Sequence, residues 1–134
     1  MSNHAATIAE IYEAFGRGDV EAILSRLAED VRWEQWDDNH AQRAGVPWLA
    51  PRQGREGALE FFRVAGGLQI HDFRVLKMLS GEDSVAAEVI SEFTAPNGRR
   101  LRDEELHLWT FGSDGKVVRM RHYVDTAKHI STAR

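Results

Sequence analysis

A chain of 134 residues with 17 basic and 21 acidic side chains and a net charge of −4 has the size of one domain, since domains cluster at about 100–150 residues. Cysteine is absent, which excludes a disulfide framework, a thiolate nucleophile and cysteine-ligated zinc or iron–sulfur centres. No basic excess marks a nucleic-acid face, and no apolar stretch approaches the ~20 residues that a membrane span needs.

From the N-terminus, Met1-Ser2-Asn3-His4 lacks the basic start and apolar run of a secretory leader, so a cytoplasmic location is expected. Ile8, Ile11, Tyr12 and Phe15 follow the i, i+3, i+4, i+7 spacing of a helix with one apolar stripe. Gly16 and Gly18 supply its stop, and Asp19 fits the N-cap of a second helix whose buried face is Val20, Ile23, Leu24 and Leu27. Alternation of Val31, Trp33 and Gln35 with Arg32, Glu34 and Trp36 predicts a short strand. Residues 38–53, with Pro47, Trp48 and Pro51, read as a long irregular loop of the kind that forms lids. A third helix is predicted over 56–65 with Leu59, Phe61 and Phe62 inward, closed by Gly66-Gly67. Strands follow at 70–79, 85–94, 99–111 and 116–125, separated by Gly-containing turns. The last residues, 131–134, are expected to fray. Helices first and hairpins afterwards imply an α+β domain with a mostly antiparallel sheet.

This order of elements carries a set of short motifs. They are Phe15-Gly16-Arg17-Gly18-Asp19, Leu27-Ala28-Glu29-Asp30-Val31-Arg32-Trp33 and Gly54-Arg55-Glu56-Gly57, then His107-Leu108-Trp109-Thr110-Phe111, Asp114-Gly115-Lys116-Val117 and Tyr123-Val124-Asp125. Together they resemble the nuclear-transport-factor-2-like superfamily over nearly the whole chain. Within it, the chain is similar to the branch of SnoaL-like polyketide cyclases and ketosteroid-isomerase-like proteins. The resemblance implies a cone: a strongly bent, mixed, mostly antiparallel sheet wrapped around three N-terminal helices, a cystatin-like α+β roll. It also implies one domain over 1–134 with an ordered core of about 5–127, a homodimer through the outer sheet face, and a pocket for a small hydrophobic molecule.

The branch's chemistries transfer unevenly. Ketosteroid isomerases use an Asp base with a Tyr and a protonated Asp as oxyanion donors. On this chain those positions fall at Gln35, Ile11 and His107, and a glutamine amide is no base. Epoxide hydrolases of the same fold use an Asp–Arg–Asp set. Asp125 matches one member, but Glu88 and Ile90 stand where the Arg-x-Asp pair belongs. Polyketide cyclases use a pocket Asp or His, and Asp125, His107 and His122 remain candidates for that role. The expectation is therefore a cofactor-independent enzyme of the cyclase–isomerase type acting on a hydrophobic carbonyl compound, the alternative being a non-catalytic ligand-binding or dimerisation module.

The residues support this with different force. His107 shares a strand face with Glu105, Trp109 and Phe111, and a histidine there serves as acid–base group or carbonyl donor, or as a satisfied core residue. Asp125 is a pocket base or the cap of a following turn. His122 and Tyr123 point to opposite faces, with His122 inward by the resemblance. Trp33, Trp48 and Trp109, with Tyr12 on the first helix, supply aromatic walls, and Gln35 a polar lining. No histidine pair or carboxylate set has metal-ligand spacing, so no metal is expected. Asp103-Glu104-Glu105 reads as a solvated strand edge. Arg99, Arg100 and Arg102, with Arg119 and Arg121, are expected to face solvent or a dimer mate and to pair with Glu88, Glu92 and Glu104.

Overall fold

The computed structural model describes residues 3–35 and 38–134, and of Glu34 and Gln35 the backbone alone. Trp36, expected at the end of the first strand, lies outside the described residues. Helix α1 (His4–Gly16) begins where the Asn3 side chain accepts from the Ala6 N–H at 3.0 Å, and it buries Ile8, Ile11 and Ala14. Asp19 caps α2 (Val20–Leu24) by accepting from the Ala22 N–H at 3.1 Å. That bond satisfies one of the donors a helix start leaves open. Leu27 does not belong to that helix. It opens β1 (Leu27–Gln35) and is fully buried there.

Residues 38–53 are not one irregular loop. They fold as α3 (His40–Arg43), a 3-10 turn (Pro47–Leu49) and β2 (Arg52–Gln53). Each piece is too short to leave a hydrophobic period; local chemistry makes them, as when Asn39 caps α3 by accepting from the Gln42 N–H at 3.0 Å. Helix α4 (Gly54–Ala65) starts two residues before its expected position. Gly54 sits at φ 75°, and a Cβ on it would stand 3.3 Å from the Glu29 carbonyl oxygen. A Cβ on Gly57 would come within 3.0 Å of the Arg52 Cβ. The Gly-Arg-Glu-Gly run is thus what lets α4 lie close against β1 and β2, and Arg55 Nε secures it by donating to the Leu27 carbonyl at 3.0 Å.

Four long strands follow: β3 (Gln69–Ser80), β4 (Ser84–Thr94), β5 (Arg100–Phe111) and β6 (Val117–Tyr123). The sheet runs β2-β1-β6-β5-β4-β3, antiparallel throughout except where β1 pairs parallel with β6. It is mixed, curled and unclosed, the cone that the resemblance implies. On it Arg100 and Arg102 pair with Glu92, and Arg102 also reaches Asp72 at 3.6 Å. The chain does not fray after the last strand. Helix α5 (Thr126–Ala133) follows, with Asp125 as its cap. The Asn97 amide donates to the carbonyls of Thr132 and Arg134 at 2.8 and 2.9 Å, and Arg99 to that of Ser131 at 2.9 Å. A helix this short owes its stability to such tertiary contacts.

Two apolar clusters form inside the curl. One joins α1, α2 and α4 to the sheet through Ile8, Ile11, Ile23, Trp33, Trp109 and Met120. The other joins the segment after β1 to the far ends of β4 and β5 through Ala41, Trp48, Leu49, Phe93 and Leu101. They do not merge, and the space between them positions the site. Among the described residues, no helix is long and apolar enough to cross a membrane.

Candidate functional site

Between the clusters lies a cavity of about 100 Å³ whose lining includes Tyr12, Trp33, Trp48, Phe61, Phe62 and Trp109. A buried water needs roughly 10–15 Å³, so the space is far larger than one solvent site. Its polar lining comes mainly from Glu105, His107, His122 and His129. Strand alternation turns Asp103, Glu105, His107, Trp109 and Phe111 of β5 to the concave side. The reading of 103–105 as a solvated edge is corrected here: the Asp103 and Glu105 side chains are only 3% and 9% exposed, and Glu104 alone of the three faces water. Buried carboxylates need partners, and α5 brings one in His129.

Hydrogen bonds assign the His107 tautomer. Trp109 Nε1–H donates to the Tyr12 hydroxyl at 3.0 Å, and the same oxygen lies 2.8 Å from His107 Nδ1. An indole only donates. The Tyr12 oxygen receives the Trp109 hydrogen, and the pairing that also uses the buried phenol's own hydrogen sends it to Nδ1, which leaves the imidazole hydrogen on Nε2. Burial pushes the Tyr12 phenol well above its ordinary range, so that proton stays in place. Among the described residues, His107 Nε2 has no hydrogen-bond partner, and neither does Trp33 Nε1, although both atoms are buried. Glu105 Oε1 stands 3.6 Å from Nε2, beyond hydrogen-bonding reach.

Glu105 links this chain to a second one. His129 Nε2 stands 3.0 Å from Asp103 Oδ2 and 3.0 Å from Glu105 Oε2. Burial alone would raise the Glu105 carboxyl, but the imidazoles of His107 and His129 beside it outweigh burial and hold it well below the usual range. For His129, burial works against the charged ring, yet the two carboxylates win and raise it to about 9. Trp48 Nε1–H donates to His129 Nδ1 at 2.9 Å, an acceptor role that this nitrogen loses when the ring is protonated. Charge-assisted bonds are roughly twice as strong as neutral ones, so the carboxylates prevail over Trp48. His122, with its ring centroid 4.5 Å from that of His107, is pushed down to about 3, chiefly by burial. It is a neutral wall.

The ligand atoms of Asp103, Glu105 and His129 lie within 4.8 Å of one another, near enough to surround a cation. With either protonation state of His129, however, Nε2 carries a hydrogen directed at the carboxylates, so this arrangement is a hydrogen-bonded ion set.

Of the residues singled out in the sequence, Tyr12, Trp33, Trp48, Trp109, His107 and His122 line the cavity. Gln35 pairs with His122 in the β1–β6 register, and its side chain lies outside the described residues. Asp125 is corrected: it stands exposed and accepts from the Lys128 N–H at 3.3 Å as the cap of α5, the alternative role that its position also allows. Glu105 and His129 were missed. Alternation from His107 already put Glu105 on the right face. His129 had no such signal, because it reaches the cavity from a helix that its own sequence does not announce.

Comparison with known proteins adds the following. The sequence profile of the SnoaL-like domain matches residues 8–120. An NTF2-like protein from Burkholderia pseudomallei is 28% identical over 99% of this chain and 98% of its own, with a TM-score of 0.81. TerC, co-crystallised with polyporic acid, is 26% identical over 98% of each chain, with a TM-score of 0.77. SalBIII, an epoxide hydrolase/cyclase-like enzyme in pyran ring formation in the polyether salinomycin, is 21% identical over 93% of this chain and 92% of its own, with a TM-score of 0.72. At that identity the likeness is one of fold. No curated protein matches this sequence.

Proposed function

Because the chain belongs to the SnoaL-like domain family, we propose that its cavity takes a small hydrophobic carbonyl compound and acts on it as a cofactor-independent enzyme of the cyclase or isomerase type. The observation that carries this reading is the buried Nε2 of His107, unpartnered among the described residues, in a largely apolar cavity. An unsatisfied buried donor costs about 1–3 kcal/mol, and a ligand oxygen removes that cost. In the assigned tautomer, Nε2–H donates to the ligand oxygen and favours its enol form, and Trp33 Nε1–H is a second buried donor without a partner among the described residues. Enolisation also needs a proton acceptor. Glu105 supplies an ionised carboxylate on the cavity wall, in place of the exposed Asp125. The co-crystallisation of TerC with polyporic acid supports an organic ligand here.

The test is hydrogen–deuterium exchange at the α-carbons of a panel of cyclic ketones, followed by NMR. The protein should accelerate exchange, and His107→Ala should lose at least about tenfold of that acceleration, at the lower end of general acid–base effects. Exchange as fast with the variant as with the parent chain would sink the role of His107. The depressed basicity of Glu105 and His122 favours a second reading, a ligand-binding module without turnover; ketone binding without exchange would select it. We also propose that two copies pair through the sheet, where Ile70, Leu76 and Leu79 of β3 remain exposed. Light scattering at twice the mass of one chain is the expected result.

A further inference from the structure

We infer that the gap between His107 Nε2 and Glu105 Oε1 is a seat for a single hydroxyl group, so that the preferred ligand is a neutral phenol, enol or alcohol on a flat apolar frame. This rests on the reading of the cavity as a small-molecule site and narrows the ligand class.

The geometry is specific. The two atoms are 3.6 Å apart, too far to bond directly yet close enough for one intervening oxygen to reach both, as bridging waters do. They differ in kind. Tyr12 occupies His107 Nδ1, so Nε2 presents a hydrogen. Glu105 turns its other oxygen to His129 Nε2 at 3.0 Å and leaves Oε1 with lone pairs facing the same gap. A carbonyl oxygen placed there would accept from His107 but set its lone pairs against the carboxylate. An ammonium would suit Glu105 and oppose the His107 hydrogen. A hydroxyl accepts from one and donates to the other. Both side chains are more than nine-tenths buried, so the pair acts in a dry environment where such complementarity counts most. The rest of the lining, Trp33, Phe61, Phe62 and Trp109 among it, offers flat apolar surface.

The seat separates this chain from relatives that stabilise an enolate. An enolisable carbonyl compound would be held here as its neutral enol, with the hydroxyl hydrogen on the Glu105 side. An oxyanion would be repelled.

A matched pair of probes tests this with the parent protein. 4-Nitrophenol and its methyl ether, 4-nitroanisole, are titrated near neutral pH, binding being read from quenching of tryptophan fluorescence. The charge of bound nitrophenol is read from the visible band of its anion. The phenol should bind about tenfold or more tightly than the ether, the scale of one hydrogen bond to a charged group. The bound dye should be the neutral phenol, so the visible band should shrink as protein is added. In Glu105→Gln the preference should fall to within about threefold while the ether's affinity stays. Equal binding of the two probes, or capture of the nitrophenolate anion, overturns the seat and leaves the cavity reading standing. Binding of neither overturns both. Should the Gln variant fail to fold, the comparison of probes on the parent chain still decides.

Discussion

At the scale of single residues, the site depends on which nitrogen of His107 carries its hydrogen, and that is decided by Tyr12 and Trp109. Tyr12→Phe removes the hydroxyl that joins them and leaves a buried Trp109 N–H and a buried His107 nitrogen without partners. Such groups cost about 1–3 kcal/mol each. Urea unfolding should show a loss of about 2–6 kcal/mol for the two groups together, and nitrogen NMR shifts of His107 should report a mixture of tautomers where the parent shows one. The sequence could be read to this depth only in part. Period two along β5 put Glu105, His107 and Trp109 on one face. The same period one step earlier includes Asp103, but three acidic residues in succession look solvated until a partner is known. The partner, His129, is some two dozen positions away in the chain. A hydrogen-bond chain is a property of three elements at once, and no spacing within one of them reveals it.

The elements divide the same way. Where a segment carried its own pattern, as in α1, α4 and the long hairpins, its type was legible and only its ends moved. Where tertiary contacts make the element, it was not. Thr126 to Ala133 has no long apolar stripe, and α5 exists because Asp125 caps it and Asn97 and Arg99 hold its end. This gives a prediction that separates a cap from a catalytic carboxylate. Asparagine caps as well as aspartate, whereas alanine does not. Asp125→Asn should change stability by only a few tenths of a kcal/mol and leave binding of the nitrophenol probe intact. Asp125→Ala should cost about 1 kcal/mol, measured by urea unfolding. A large loss of binding in the Asn variant would return Asp125 to the chemistry.

For the molecule as a whole, the ion set of Asp103, Glu105 and His129 ties α5 to the sheet and makes stability depend on pH. The His129 value is raised to about 9 from an ordinary 6.5, so folding favours the protonated ring. Its contribution is complete below about pH 6.5 and is lost as pH climbs through about 9, by up to about 3 kcal/mol. The Trp48 hydrogen bond that the neutral ring gains offsets about 1 kcal/mol of this. Urea unfolding at a series of pH values should show that decline in the parent chain, and His129→Gln should flatten it. The parallel contact of β1 with β6 has a consequence of another kind. Leu27 meets Val117, and Trp33 meets Met120, so the strand that closes one wall of the cone waits for a partner about ninety positions further on. Closing so long a loop is entropically costly and slows folding. During synthesis, Val31 and Trp33 leave the ribosome well before β6, and their strand cannot find its partner until residues 117–123 follow. Until that last hairpin arrives, the strand is open to non-native pairing.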